Sequence, residues 1–363
     1  MVVFSREITS QKEGALFFAI VYSVGNTSLS AILEWIGVNE VTVMKMALIG
    51  LGKMGLHMVH QVENTKMDTK IEIVAVCDAN EEGLAAFADS HPGVRTYTDY
   101  KQLMNEHQID LLYIAVPPKF HHPVVMEALE RKIHVFCEKP LANSVEEAKE
   151  MLDAAQQSGV VHAIHFSMPH EPSVLKLQEM IEQGTVGTIR KIDLILQFPQ
   201  WPRSWQQNAW ITSREQGGFI LEVGIHWIHM IQKVFGAVRV VKTQVQYPEN
   251  GDCELEVQAA LELEDGTRIQ LNGISQFAGE ERVSMVVYGT EGTIALENWD
   301  ELKSGLVGQP LSPVEVLESA SELPVLKHVI ARIQGKPARI YDFNDGYQAQ
   351  LVLEALRNTE QSR

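Results

Sequence analysis

From Met46 onward the chain alternates continuous apolar runs with segments of helical period. MALIG (46–50), IEIVAVCD (71–78), LLYIAVPP (111–118), KIHVFCEKP (132–140) and VVHAIHF (160–166) are apolar runs of strand length, with a shorter one near Val94–Tyr97. Between them lie helical stretches at about 54–62, at 81–90 with an apolar side of Leu84, Phe87 and Ala88, and near 121–131 and 144–157. The last opens with Ser144-x-x-Glu147, a capping-box signature. Strands apolar on both faces, alternating with helices, predict a doubly wound parallel sheet.

Beyond residue 167 the texture changes. RKIDLILQF, VRVVKTQVQY, CELEVQAALELEDGTRIQLNGISQF and RVSMVVYGTEGTIAL are strand-rich, with hairpin turns at Glu264-Asp265-Gly266 and Thr290-Glu291-Gly292. Helices are expected at about 218–235 and 344–358. This pattern predicts a second, α+β domain around a large, mostly antiparallel open sheet. The expected division is therefore 46–167 and 168–363.

Residues 1–45 stand apart. GALFFAIVYSVGNTSLSAILEWIGV is apolar but broken by Gly25, Asn26, Ser28, Ser30 and Glu34, a poor membrane span. The preferred expectation is a leader that is not part of the native protein, with the physiological start at Met44 or Met46.

Length agrees with two domains, since 363 residues exceed what one small core organises. A net charge of -17 argues against a nucleic-acid partner and against an acidic membrane surface. Three scattered cysteines (Cys77, Cys137, Cys253) form no metal or disulfide pattern. They read as buried free thiols, which points to a reducing, cytoplasmic setting.

Chemistry enters at Gly50-Leu51-Gly52-Lys53-Met54-Gly55, a G-x-G-x-x-G between a strand and a helix. The glycines permit a tight turn and close approach of backbone to a pyrophosphate at a helix N-terminus. Asp78 ends the next strand and is placed to accept hydrogen bonds from ribose hydroxyls. Ala79, Asn80, Glu81 and Glu82 follow it, with no cation for a 2′-phosphate, so NAD is favoured over NADP.

Three further stretches sharpen the picture: AVPPKFHHPVVMEALERKIHVF (115–136), FCEKPLA (136–142) and GGFILEVGIH (217–226). Together with the glycine motif they resemble the glucose-fructose oxidoreductase/inositol dehydrogenase/rhizopine-catabolism (Gfo/Idh/MocA) family, over nearly everything from Met46 to the end. The resemblance implies a dinucleotide-binding Rossmann domain (46–167) and a substrate-binding and oligomerisation domain (168–363). It implies hydride transfer between nicotinamide and a sugar, polyol or related carbonyl compound, and assembly as a homodimer or homotetramer through the second sheet. Lys139 matches the family's catalytic lysine and His226 its catalytic histidine, while Glu222 stands where most members carry Asp. Val116, Pro117, Pro118 and His121 match a cofactor-side stretch, though without its Thr and Asn. Glu138 and Lys139 fall in the Glu-Lys-Pro motif, for which a cis Lys139–Pro140 bond is implied.

The residue types suit that chemistry. Oxidising a secondary alcohol requires a proton acceptor for the hydroxyl, a role for a histidine near neutrality. A lysine beside the same oxygen stabilises alkoxide charge. Glu222, four positions before His226, is expected to orient and support its ring; a structural hydrogen bond or substrate binding are the other readings. His229 shares their helix face but is expected to be structural. No metal is expected, because residues seven apart are separated by about 10.5 Å along a helix.

Substrate contacts are sought in QFPQWPRSWQQNAWITSREQGG (197–218). Trp201, Trp205 and Trp210 suit stacking on a sugar, or packing between domains. Arg203, Gln206, Asn208 and Arg214 suit hydroxyls or an anion, and His165 ends the sixth strand facing the cleft. Two other functions stay open: an enzyme retaining NAD for a transient oxidation that permits glycosidic cleavage, and a non-catalytic dinucleotide sensor.

Overall fold

A computed structural model describes residues 43–64, 69–206, 208–316 and 325–358. Most of the expected leader lies outside these residues; positions 43–45 already belong to the first strand.

Six strands form the first sheet: β1 (Val43–Ile49), β2 (Lys70–Cys77), β3 (Arg95–Tyr97), β4 (Leu111–Ile114), β5 (His134–Cys137) and β6 (His162–Ile164). Their order is β3-β2-β1-β4-β5-β6, and the paired registers are parallel. Five helices connect them: α1 (Lys53–Asn64), α2 (Glu81–Ser90), α3 (Tyr100–Glu106), α4 (His121–Glu130) and α5 (Val145–Ser158). The strand order reverses between β1 and β4, which opens a crevice at the carboxyl ends of the strands.

Local chemistry sets the boundaries. Asn80 caps α2 by accepting from Gly83 N–H at 3.1 Å, and Asp99 caps α3, which the apolar pattern had not announced. Ser144 accepts from Glu147 N–H at 3.2 Å, but Glu147 accepts in return from Asn143 N–H, so only half of the predicted capping box forms. The strand in LLYIAVPP stops at Ile114 because Pro117 and Pro118 have no N–H for a ladder.

The second sheet has eight strands: β7 (Ile189–Phe198), β8 (Val238–Gln246), β9 (Glu256–Leu263), β10 (Arg268–Ser275), β11 (Arg282–Gly289), β12 (Gly292–Glu297), β13 (Glu301–Leu306) and β14 (Ser312–Pro313). Their order is β14-β13-β12-β11-β7-β10-β9-β8; β7 and β10 run parallel and the other pairs antiparallel. Period-two alternation is clearest in β10, where Ile269, Leu271, Gly273 and Ser275 face inward. At Gly273 a Cβ would fall 2.6 Å from the Phe219 ring, so glycine lets that ring lie on the sheet.

The helices of this half are α6 (Pro172–Glu182), α7 (Ile225–Phe235), α8 (Val325–Ile333) and α9 (Phe343–Arg357). Helix α6 was not expected; Pro169 and Pro172 disguise its start, yet a proline fits the first helical turn. Helix α8 lies beyond residue 167 yet packs on the first sheet. Its buried Val325, Leu326, Val329 and Ile330 pack in one cluster with Met46, Leu48, Tyr113 and Phe136 of the first sheet. Ile164 N–H, on β6, also donates to Tyr341 O at 2.8 Å. A doubly wound sheet needs both faces covered, and the C-terminal segment supplies part of that cover. The boundary at 167/168 thus separates the two sheets but not their helices.

Leu326 is 0% exposed in that cluster. Leu326→Ala is expected to destabilise by about 2–5 kcal/mol in denaturant unfolding, although it lies far along the chain from the sheet it covers. A loss within the range of a surface substitution would contradict the assignment of α8 to the first sheet.

Candidate active site

The glycine loop joins β1 to α1. Gly50 has φ +100°, and a Cβ there would lie 2.5 Å from Ala115 O. A Cβ on Gly55 would overlap the Gly50 carbonyl, whereas Gly52 faces open space. The first and third glycines therefore close the turn, and the middle one leaves a cradle for a ligand's approach. Asp78, at the end of β2, accepts from Leu51 N–H at 2.6 Å and from Asn80 N–H at 2.8 Å. Its carboxylate is thus fastened to the glycine loop while still lining the cleft.

That cleft encloses about 690 Å³. Gly50, Gly52, Lys53, Met54 and Asp78 line it on the glycine-loop side, and Val116, Pro117 and Pro118 on the wall after β4. Lys139, Glu222, His226, His165, Arg203, Trp205 and Asn208 complete it. The glycine cradle, the helix N-terminus and a carboxylate at the end of β2 fit an adenosine diphosphate-ribose moiety.

Lys139 follows β5, and its bond to Pro140 is cis, as the resemblance implied. Its Nζ donates to Glu222 Oε2 at 3.3 Å and to Glu222 O at 3.2 Å. Both side chains are nearly enclosed, at 14% and 10% exposure. Glu222 was expected to support His226, but its partner is Lys139, and no hydrogen bond joins it to the imidazole. The reason is local: residues Ile220–Gly224 form a π turn, with Ile225 N–H reaching Ile220 O. The wider turn breaks the four-residue register on which the expected pairing depended.

Glycines and a buried acid shape that turn. Gly218, with φ +100°, lies against the Glu254 carboxylate, and a side chain there would overlap it. Glu254 Oε1 accepts from Ile220 N–H at 2.7 Å. Burial pushes the Glu254 carboxyl up to about 7, partly offset by the bond from Ile220. Sequence reasoning missed Glu254 because its partner is 34 positions away and the irregular segment before β9 that carries it is otherwise unremarkable.

His226 opens α7 beside the Trp299 ring at 6.0 Å and the Phe166 ring at 6.3 Å, both edge-on. Burial, and then the Lys139 charge, push its imidazole down to about 3. Trp299 was also missed; it sits in the β12–β13 turn with φ +80°, a conformation rare for a bulky residue. His229 is fully buried, stacked on Phe166 at 3.9 Å, and among the described residues neither ring nitrogen has a hydrogen-bond partner. Burial and Lys233 push it well below its usual value.

Several expected contacts are placed elsewhere. His121 is 0% exposed and does not line the cleft. Its ring lies 2.9 Å from Pro140 O and 2.8 Å from Val116 O, tying the two loops that form the cleft wall. Gly55 lies beneath the turn. Glu138 borders the cleft, but its carboxylate is turned to Tyr113 and His165. Trp201 is 6% exposed and packs on Phe198 and Phe219, so it belongs to the core. Arg214 lies outside the cleft, its guanidinium 3.9 Å over the Tyr247 ring. Apolar and cationic side chains in this loop found aromatic partners of their own, which composition could not reveal.

Arg203 and Trp205 do reach the cleft. The Arg203 guanidinium lies 3.1 Å from Glu281 and is surrounded by Phe198, Trp201, Trp205 and Trp299. Lys53 Nζ lies 3.5 Å over the Trp205 ring, joining the glycine loop to the substrate-side loop. Cys77, Cys137 and Cys253 are buried free thiols.

The chain matches the model of an oxidoreductase family with an NAD-binding Rossmann fold over residues 44–166, and the corresponding Gfo/Idh/MocA C-terminal domain over 174–295. It is 28% identical over 261 residues to the uncharacterised oxidoreductase YrbE of Bacillus subtilis, covering 69% of this chain and 73% of that one. It is 25% identical over 350 residues to D-glucoside 3-dehydrogenase of Escherichia coli, covering 86% and 94%. Among solved structures, levoglucosan dehydrogenase in complex with NADH and L-sorbose superposes with a TM-score of 0.73 at 21% identity, covering 88% of this chain and 97% of that one.

The depressed histidines have a consequence for stability. His170 is pushed down to about 4, chiefly by burial, and His226 and His229 are lowered as described. The unfolded chain takes up these protons near pH 6.5, so their contribution is complete above that pH and declines as pH falls towards the folded values. The melting temperature is expected to drop between pH 7 and pH 5, and His229→Phe is expected to make the drop shallower. An unchanged slope in that variant, by scanning calorimetry, would show that His229 is not held neutral by burial.

Proposed function

The chain belongs to the Gfo/Idh/MocA family of NAD-binding oxidoreductases, and on that footing we propose that it transfers hydride between the nicotinamide of NAD and a hydroxyl-bearing carbon of a sugar, sugar derivative or polyol. The observation that carries this reading is Lys139 Nζ, fixed by Glu222 inside the cleft that the glycine loop and His226 also line. Relatives named as D-glucoside and inositol dehydrogenases support the substrate class.

Bound NAD supplies the hydride acceptor. Gly50, Gly52 and the N-terminus of α1 would hold its pyrophosphate, and Asp78 its ribose hydroxyls. Val116, Pro117 and Pro118 form the wall beside it. Lys139 donates to the reacting oxygen and stabilises the alkoxide as the carbon–hydrogen bond breaks. His226, kept neutral, accepts from the same hydroxyl and draws its proton away. Glu222 keeps the lysine in place, and Arg203, Trp205, Asn208 and His165 face the rest of the substrate.

Among the described residues no helix is long and apolar enough to cross a membrane. A cytoplasmic enzyme, assembled as a homodimer or homotetramer through the open face of the eight-stranded sheet, completes the reading. Exposed Ile274 and Tyr288 on that sheet support the assembly.

The test is an NADH-absorbance screen over sugars, sugar phosphates and inositols. Wild-type protein is expected to reduce NAD with at least one of them. Lys139→Ala and His226→Ala are expected to lower kcat by about 100-fold or more. Equal turnover by wild type and both variants would overturn the site. Hydrolysis without net NADH would point instead to a retained cofactor and transient oxidation.

A further inference from the structure

One contact crosses the cleft without taking part in its chemistry. Lys53 follows Gly52 in the glycine loop and opens α1, and its ammonium lies 3.5 Å over the indole ring of Trp205. Trp205 comes from the opposite wall, on the loop between β7 and α7, and both residues line the cleft. The Arg203 guanidinium carbon is 5.6 Å from the same ring, so two cations share one indole.

The loop holds that ring out from a fixed base. Gln206 N–H donates to Arg203 O at 2.8 Å, which closes a tight turn with Ser204 and Trp205 at its tip. Both flanks of the turn are anchored. Trp201 packs on Phe198 and Phe219 before it, Arg203 sits among aromatic rings, and Gln206 is buried after it. Among the described tryptophans Trp205 alone is more than half exposed, at 54%. An exposed indole is ordinary by itself. One held against an ammonium from the opposite wall restrains two side chains, and the attraction of a cation to an aromatic face offsets that loss of freedom.

The contact stands where a dinucleotide would have to pass. Gly52 supplies the open cradle for the pyrophosphate, and Lys53 is the next residue. Asp78 would take the ribose on the glycine-loop side, while Lys139 and His226 would meet the nicotinamide end. A cofactor joining these groups runs past Lys53, at the point where the substrate-side loop touches the glycine loop.

We propose that the Lys53–Trp205 contact is a latch over the dinucleotide, which opens for the cofactor to enter and to leave. This rests on the NAD reading of the site and adds control of cofactor exchange; Trp205 keeps its place facing the substrate. An ammonium carries three donors, so Lys53 can serve a phosphate oxygen and the indole face together. A latch differs from an ordinary ligand contact in its kinetics. A residue that only touches the bound cofactor slows its departure and leaves its arrival alone. A closed bridge across the path slows both, so removing it speeds entry and exit together and changes the dissociation constant less than the rates. A cation–π contact of ordinary strength corresponds to about 2- to 30-fold in rate.

The test is stopped-flow binding and release of NADH, followed by cofactor fluorescence with no substrate present. Trp205→Ala and Lys53→Met are each expected to raise the NADH dissociation rate by about 3-fold or more, and Trp205→Ala is expected to raise the association rate as well. The double variant is expected to fall short of the product of the two single effects, because both remove the same contact. Trp205→Phe, which keeps a ring for the ammonium, is expected to lie between wild type and Trp205→Ala. Both side chains are exposed, so the variants are expected to melt with the wild type. Trp205→Ala with NADH rates within about twofold of wild type, faster release with unchanged entry, or single effects that multiply would overturn the latch. Latch kinetics in a protein that oxidises no sugar or polyol would uphold it and count against the oxidoreductase reading alone. A wild-type protein that binds no NADH would overturn both.

Discussion

An ammonium and a carboxylate meet inside the cleft, and most of the site is arranged around that meeting. Lys139 arrives from the first sheet and Glu222 from the π turn before α7, with neither side chain more than 14% exposed. An enclosed ion pair is stable only when its geometry and remaining hydrogen bonds are good, and removing one partner strands the other. Here the lysine also bonds the Glu222 carbonyl. The surrounding structure is committed to holding both ends. His121 ties the loop carrying Pro140 to Val116, and Glu254 anchors the start of the π turn against Gly218.

Electrostatic consequences follow from the fixed lysine. Its charge, after burial, keeps His226 neutral, which suits a group that accepts a hydrogen bond from an alcohol. It also helps to keep Glu138 ionised behind the cleft floor. Lys139 thus has its partner Glu222 inside the cleft, and His165 has its partner Glu138 behind it. Separating the charges in this way lets the reacting oxygen meet a donor and an acceptor at once.

Much of this was legible locally. The glycine loop, Asp78 and the Glu-Lys-Pro motif are short-range features whose backbone demands can be read from residue type, and they reach the cleft as expected. The alternation of apolar runs and helical stretches likewise gives the parallel sheet, because burial on both faces leaves a continuous apolar run. What escaped depends on distant partners. Tyr113 looked like one more apolar strand residue, yet its hydroxyl meets Glu138 25 positions on. Trp201 and Arg214 looked like sugar contacts, but the rings nearest them, Phe198, Phe219 and Tyr247, decided otherwise. Glu222 failed for a different reason: helical spacing assumes an α turn, and a π turn stands there instead. Helix α8 is amphipathic in sequence, but nothing local says which sheet it covers.

The central claim is that the fixed Lys139 serves a direct hydride transfer from a hydroxyl-bearing carbon to nicotinamide. The most direct measurement uses a sugar or polyol bearing deuterium on the reacting carbon and follows the label by mass spectrometry. The account predicts that the deuterium appears in the NADH formed, at the nicotinamide ring. NADH formed without the label, or label lost to water while the cofactor ends unreduced, would contradict it.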